Sequence, residues 1–147
     1  INFIRHHSPA HIFSASMPPA NVATVLKCLE IVKQEPWRLE RLKYVSEYMR
    51  TELRAMGFDV LNSQTPIIPV VIGDMIECFE FWRDLFEAGV YAHAVVPPAV
   101  PQGQSLIRTS YMATHTDEHL DRILEAFRKV GLKKGIIDRN GHSLIAS

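Results

Sequence analysis

Arg108 is the residue whose type and setting most invite a ligand. It falls inside an apolar run, with Leu106 and Ile107 before it and Tyr111 close behind, that reads as a strand. A guanidinium taken out of water is costly unless an anion meets it. Its planar fork suits a carboxylate, which can accept two parallel hydrogen bonds from it. Two structural readings stand beside that one: an internal salt bridge, or an edge arginine facing solvent. The stretch just before it, Pro97-Pro98-Ala99-Val100-Pro101-Gln102-Gly103, is stiff because proline fixes φ. Binding residues concentrate on loops held by rigid elements. The loop is therefore either a substrate wall leading to Arg108 or a plain tight connection.

Ser14 and Ser16 precede a helix start. Hydroxyls and free amides there can hold a phosphate, or the serines can simply cap the helix. The 7 histidines give no metal site. His6, His7 and His11 cluster without a carboxylate or cysteine at ligand spacing, and His115 and His119 lie outside any HExxH pattern. Surface or capping roles are expected for the latter pair. Cys28 and Cys78 form no CxxC pair, which suits a reducing compartment and a cytoplasmic location. No local Ser-His-Asp signature, GxGxxG or P-loop occurs.

These residues need elements to position them. Pro18-Pro19 opens a helix with Val22, Val25, Leu26, Leu29 and Val32 on one stripe. After Pro36 a second helix turns Leu39, Leu42, Val45, Met49, Leu53 and Met56 inward and stops at Gly57. Residues 58–61 are a short strand candidate. Residues 67–72, a continuous β-branched run, read as a buried strand, with Pro69 marking an edge or a bulge. Asp74 caps a helix over 75–88, and residues 90–96 and 105–112 are further strands. Thr116 caps a last helix with Leu120, Ile123, Leu124, Phe127 and Val130 on its apolar stripe.

The pattern predicts an α+β fold, a small, mostly antiparallel sheet covered on one face by helices. Apolar residues make up 47% of the chain, enough for a core. The 16 acidic and 16 basic residues cancel, which argues against bulk attraction to nucleic acid. No apolar run reaches membrane-spanning length, so no integral membrane segment is expected. Ile1 opens in the middle of an apolar pattern, and the chain reads as cut from a longer protein. The expected organisation is a lead-in over residues 1–17 from a larger domain, a C-terminal small domain over 18–137 and a flexible tail over 138–147.

Three segments resemble the α-oxoamine synthases, a family of pyridoxal-phosphate enzymes. They are residues 6–20, HHSPAHIFSASMPPA; residues 67–74, IIPVVIGD; and residues 89–116, which carry Gly89-Val90-Tyr91, Val95-Val96-Pro97-Pro98-Ala99-Val100-Pro101-Gln102-Gly103 and Leu106-Ile107-Arg108-Thr109-Ser110. The likeness runs over residues 1–137. Its wording most resembles the bacterial serine palmitoyltransferase branch, and next the glycine C-acetyltransferase branch. Val96 stands where 8-amino-7-oxononanoate synthases often carry an arginine.

The resemblance implies condensation of an amino acid, serine by this wording, with an acyl-CoA to a 3-keto amine on pyridoxal phosphate. It implies that Arg108 grips the amino-acid carboxylate. It implies that Ser14 and Ser16 lie near the cofactor phosphate of a neighbouring subunit, in a homodimer. The family's Schiff-base lysine would lie upstream of Ile1, so this stretch alone is expected to be inactive and to hold no covalent cofactor. Two other readings are an aminotransferase of the same broad fold and a free-standing, non-catalytic α+β interaction module.

Overall fold

A computed structural model describes residues 1–9, 17–138 and 143. Ser14 and Ser16, and most of the tail, lie outside these described residues. The chain divides into two compact units, Ile1–Pro36 and Trp37–Ser147. The first holds helix α1 (Asn2–His7) and helix α2 (Pro19–Gln34), with Pro19 in the opening turn of α2. The α2 stripe forms as the spacing predicts, but Val25, Leu26 and Leu29 on it are all exposed.

The second unit begins with α3 (Trp37–Ala55), which buries Val45, Met49 and Leu53. Leu39, expected to face inward, is 52% exposed, because α3 packs through its C-terminal half and its first turn overhangs. Residues 58–61 do not form the expected strand. Leu61 turns away at φ 50° and donates its amide to the Asp59 carboxylate at 2.9 Å. Only the Asp59 carbonyl joins the sheet, accepting from Val71 N at 2.9 Å, while Phe58 and Val60 are buried.

Strand β1 (Ile67–Gly73) follows, then α4 (Met75–Glu87), β2 (His93–Val95), β3 (Ser105–Ser110) and α5 (Asp117–Lys134). The sheet order is β1-β3-β2 with both pairings antiparallel, so β3 is central. The α+β expectation is met. β1 is not buried on both faces, however: Ile68, Val70 and Ile72 are buried while Ile67 is 45% exposed. The helices cover one face only, so a run of apolar residues becomes an alternating strand. Pro69, which has no amide to donate, sits on this edge strand, as the sequence suggests.

Local chemistry sets the joints. Gly73 takes φ 101°, a backbone that a side chain disfavours, and Asp74 then accepts from Ile76 N at 2.7 Å and Glu77 N at 3.1 Å to start α4. Thr116 and His119 form a reciprocal capping box at the start of α5. Between sheet and helices, the Phe58 ring meets Phe81 and Phe127 edge-on, with centroids 6.2 and 5.7 Å away. Lys133 and Lys134 on α5 reach Asp84 and Glu80 on α4 at 2.9 and 2.7 Å. The Lys133 ammonium beside it holds the Asp84 carboxyl below its ordinary range.

Gly131 lies where α5 passes the Phe58 ring. A Cβ there would stand 2.7 Å from Phe58 Cζ and 3.0 Å from Ile137 Cδ1. Alanine ordinarily favours a helix over glycine by about 1 kcal/mol. Here the buried ring cannot yield, and overpacking of this kind costs about 1–3 kcal/mol. Gly131→Ala is therefore expected to lower the urea midpoint of unfolding, whereas a raised midpoint would contradict the packing described.

Candidate functional site

β3 carries the site because its residues alternate. Ser105, Ile107 and Thr109 are buried toward the helices, and Arg108 and Ser110 face out on the opposite side. The Thr109 hydroxyl donates to Ile68 O at 2.8 Å and helps fix that register. Arg108 is thus neither buried in a salt bridge nor on an edge. It stands exposed on the open face of the central strand, between Pro69 of β1 and His93 of β2. Its side chain makes no hydrogen bond or ion pair with the other described residues.

Arg108 lines an open cavity of about 690 Å³. Its lining includes Tyr91, His93 and Arg108 and, from α5, His119, Arg122, Ala126 and Lys129, whose spacing places them on one helix face. Tyr111 and His115 also line it. Formal cations outnumber acids here, Arg108, Arg122 and Lys129 against Glu125 alone. Such a cavity attracts an anion and repels a cation.

The connecting segment is well anchored. The Tyr111 amide donates to Pro66 O at 3.0 Å, while its hydroxyl is buried with no hydrogen-bond partner among the described residues. Burial pushes that phenol up to about 12, so it stays protonated. His115 Nδ1 accepts from Met112 N at 3.1 Å, which requires that nitrogen to be unprotonated. Burial, followed by the neighbouring His119, holds the His115 pKa below the ordinary histidine value.

Other expectations fare differently. The Pro97–Gly103 loop, which contains a cis Pro97-Pro98 bond, does not line this cavity. It feeds the start of β3, and Arg108 stands three residues further on, about 10 Å away along a strand. The loop is a tight connection closed by the Ala99 N to Val96 O and Gln104 N to Pro101 O bonds, at 3.0 and 3.2 Å. The Cys78 thiol is buried, is pushed up to about 11 and donates to Leu106 O at 3.5 Å, which suits a core residue rather than a nucleophile. Among the described residues no His, Cys, Asp and Glu group could hold a metal, and no helix is long and apolar enough to cross a membrane. The sequence reading missed Tyr91, His93, Arg122 and Lys129 as parts of the site. The i, i+3, i+7, i+10 spacing of His119, Arg122, Ala126 and Lys129 was the available signal.

A family model described as aminotransferase class I and II matches residues 1–127. The chain belongs to that family. Its relatives lie in the α-oxoamine synthase branch. It is 44% identical over 97% of its length to a serine palmitoyltransferase of Bacteriovorax stolpii. It is 47% identical over 86% of its length to an 8-amino-7-oxononanoate synthase/2-amino-3-ketobutyrate coenzyme A ligase of Thermus thermophilus. The serine palmitoyltransferase structure from Sphingomonas wittichii superimposes with a TM-score of 0.78 at 32% identity, covering 93% of this chain. The chain spans about a third of these relatives: 33%, 32% and 35% of their lengths.

Some solved serine palmitoyltransferases of this aminotransferase family carry pyridoxal phosphate. Lys134 is held protonated by its hydrogen bond to Glu80, which makes it a poor nucleophile. Of the described lysines only Lys129 lines the cavity, and it is exposed on a helix face. What these residues do offer is an anion-binding wall.

The His115 arrangement has a pH signature. Its folded-state pKa lies below the unfolded value of about 6.5, so the unfolded chain gains a proton first as pH falls. The stability tied to neutral His115 is fully present above about pH 6.5 and is lost below it. His115→Asn keeps an acceptor for Met112 N without the titration. Its urea midpoint is expected to fall less than the parent's between pH 7 and 5; equal falls would contradict this account.

Proposed function

We propose that this chain is the substrate-gripping C-terminal part of a pyridoxal-phosphate-dependent C-acyltransferase, which condenses serine with an acyl-CoA to a 3-keto amine. One observation carries the reading: Arg108 is presented without a counter-ion among the described residues, on the open face of a central strand, beside a cavity with an excess of cations. The likeness to serine palmitoyltransferases supports serine and an acyl-CoA as substrates. A second reading, an 8-amino-7-oxononanoate synthase, is favoured by relatives such as that of Symbiobacterium thermophilum, 41% identical over 93% of the chain. Both readings use the same carboxylate grip and differ in the partner substrates.

In this reading the chain's own residues bind and orient. The Arg108 fork holds the two carboxylate oxygens, which fixes the amino acid's Cα relative to the strand. Ile107 and Thr109, buried on either side, stop the arginine's backbone from shifting. The Tyr111 phenol, buried where the residue lines the cavity, stays protonated and brings no competing negative charge. Pyridoxal phosphate would supply the electron sink for the carbon chemistry. Its covalent lysine is assigned to a part of the enzyme outside this stretch. Ser14 and Ser16 are assigned to its phosphate, across a homodimer interface, in a cytoplasmic enzyme.

Two measurements test this. In the intact enzyme, Arg108→Ala is expected to raise the amino-acid KM by roughly 10- to 100-fold, the worth of a charge-assisted contact. The acyl-CoA KM should stay within about twofold, as expected for a residue that touches only one substrate. Equal rises in both would sink the carboxylate role. Incubating the 147-residue chain with pyridoxal phosphate and borohydride should leave no stoichiometric adduct at any one lysine by peptide mass mapping. A full adduct at one site would contradict the assignment of the lysine elsewhere.

A further inference from the structure

We infer that His93 is a second ligand for the carboxylate held by Arg108, an inference that rests on the carboxylate reading of Arg108 above. His93 and Arg108 are direct partners in the antiparallel β2–β3 register. Residues paired in this way project to the same side of a sheet, with Cβ atoms about 4.5–5.5 Å apart. Both are exposed and both line the cavity. Neither side chain makes a hydrogen bond or ion pair with the other described residues. The cross-strand partner on the other flank is Pro69, which has no polar side-chain group. Ser110, the next outward residue along β3, is about 7 Å further on. Within the sheet, an anion docked on Arg108 therefore meets its nearest additional side-chain donor on the β2 side.

The chemistry fits that position. A carboxylate gripped by a guanidinium fork keeps a lone pair on each oxygen for another donor. An imidazole offers an N–H whether neutral or protonated. Tyr91 packs its ring against His93 in a T-shaped contact, with centroids 5.2 Å apart, and so limits where the imidazole can swing. Arg108 supplies charge and His93 supplies direction.

The test uses the intact enzyme and four variants: Arg108→Ala, His93→Ala, His93→Asn and the Arg108→Ala/His93→Ala double. His93→Ala is expected to raise the amino-acid KM roughly tenfold with the acyl-CoA KM unmoved. His93→Asn, which keeps an N–H donor, should stay within about threefold of the parent. Inhibition by the amine that lacks the carboxylate should be the same in parent and His93→Ala. In the Arg108→Ala background, the further His93→Ala change should raise the amino-acid KM by less than about twofold, because the shared anion is no longer held. An unchanged amino-acid KM in His93→Ala would overturn the inference while leaving Arg108 standing. So would equal weakening of the carboxyl-free amine, or fold-changes that multiply in the double variant. If Arg108→Ala itself leaves the amino-acid KM unchanged, the Arg108 reading falls, and this inference falls with it.

Discussion

Everything at the site depends on which way β3 faces. Ile107 is fully buried against the helices, and Arg108 is its neighbour. Burying an isoleucine side chain is worth about 1.5–3 kcal/mol. An unpaired guanidinium in its place would cost far more than that gain. A one-residue slip of β3 would exchange the two, so the register is defended by both residues together. Thr109, hydrogen-bonded to Ile68 O, reinforces it from the buried side. The presentation of Arg108 is thus a consequence of core packing and needs no special device.

α5 carries the same logic into the cavity's lining. Its buried stripe, Leu120, Leu124, Phe127 and Val130, packs into the core beside α3 and α4. Turning the helix slightly about its axis reaches His119, Arg122, Ala126 and Lys129, which face the cavity. Phe127 therefore holds Lys129 and Arg122 in place, and the capping box at Thr116 sets where the helix begins. Ion pairs from Lys133 and Lys134 to α4 secure the far end.

Much of this was legible in the residues. Asp74, Thr116 and the glycine stops mark helix ends through hydrogen bonds made within a few residues, so local sequence suffices. The period of α5 and the wording around Arg108 likewise lie in one short stretch. What local pattern could not supply was pairing. The run at 67–72 is apolar throughout, and only the absence of a helix layer on the second face turns it into a half-buried edge. Residues 58–61 look like a strand but meet the sheet with one carbonyl. His93 and Arg108 are 15 positions apart, and nothing in either segment announces that the register sets them side by side. The stiff proline loop suggested a wall, yet strand length carries Arg108 away from it.

The central claim is that Arg108 receives a substrate carboxylate. Its most direct test is a crystal structure of the intact enzyme with the amino acid bound. The account predicts two guanidinium nitrogens of Arg108 within about 2.7–2.9 Å of the two carboxylate oxygens. An amino acid held elsewhere, with the Arg108 side chain directed into solvent, would contradict it.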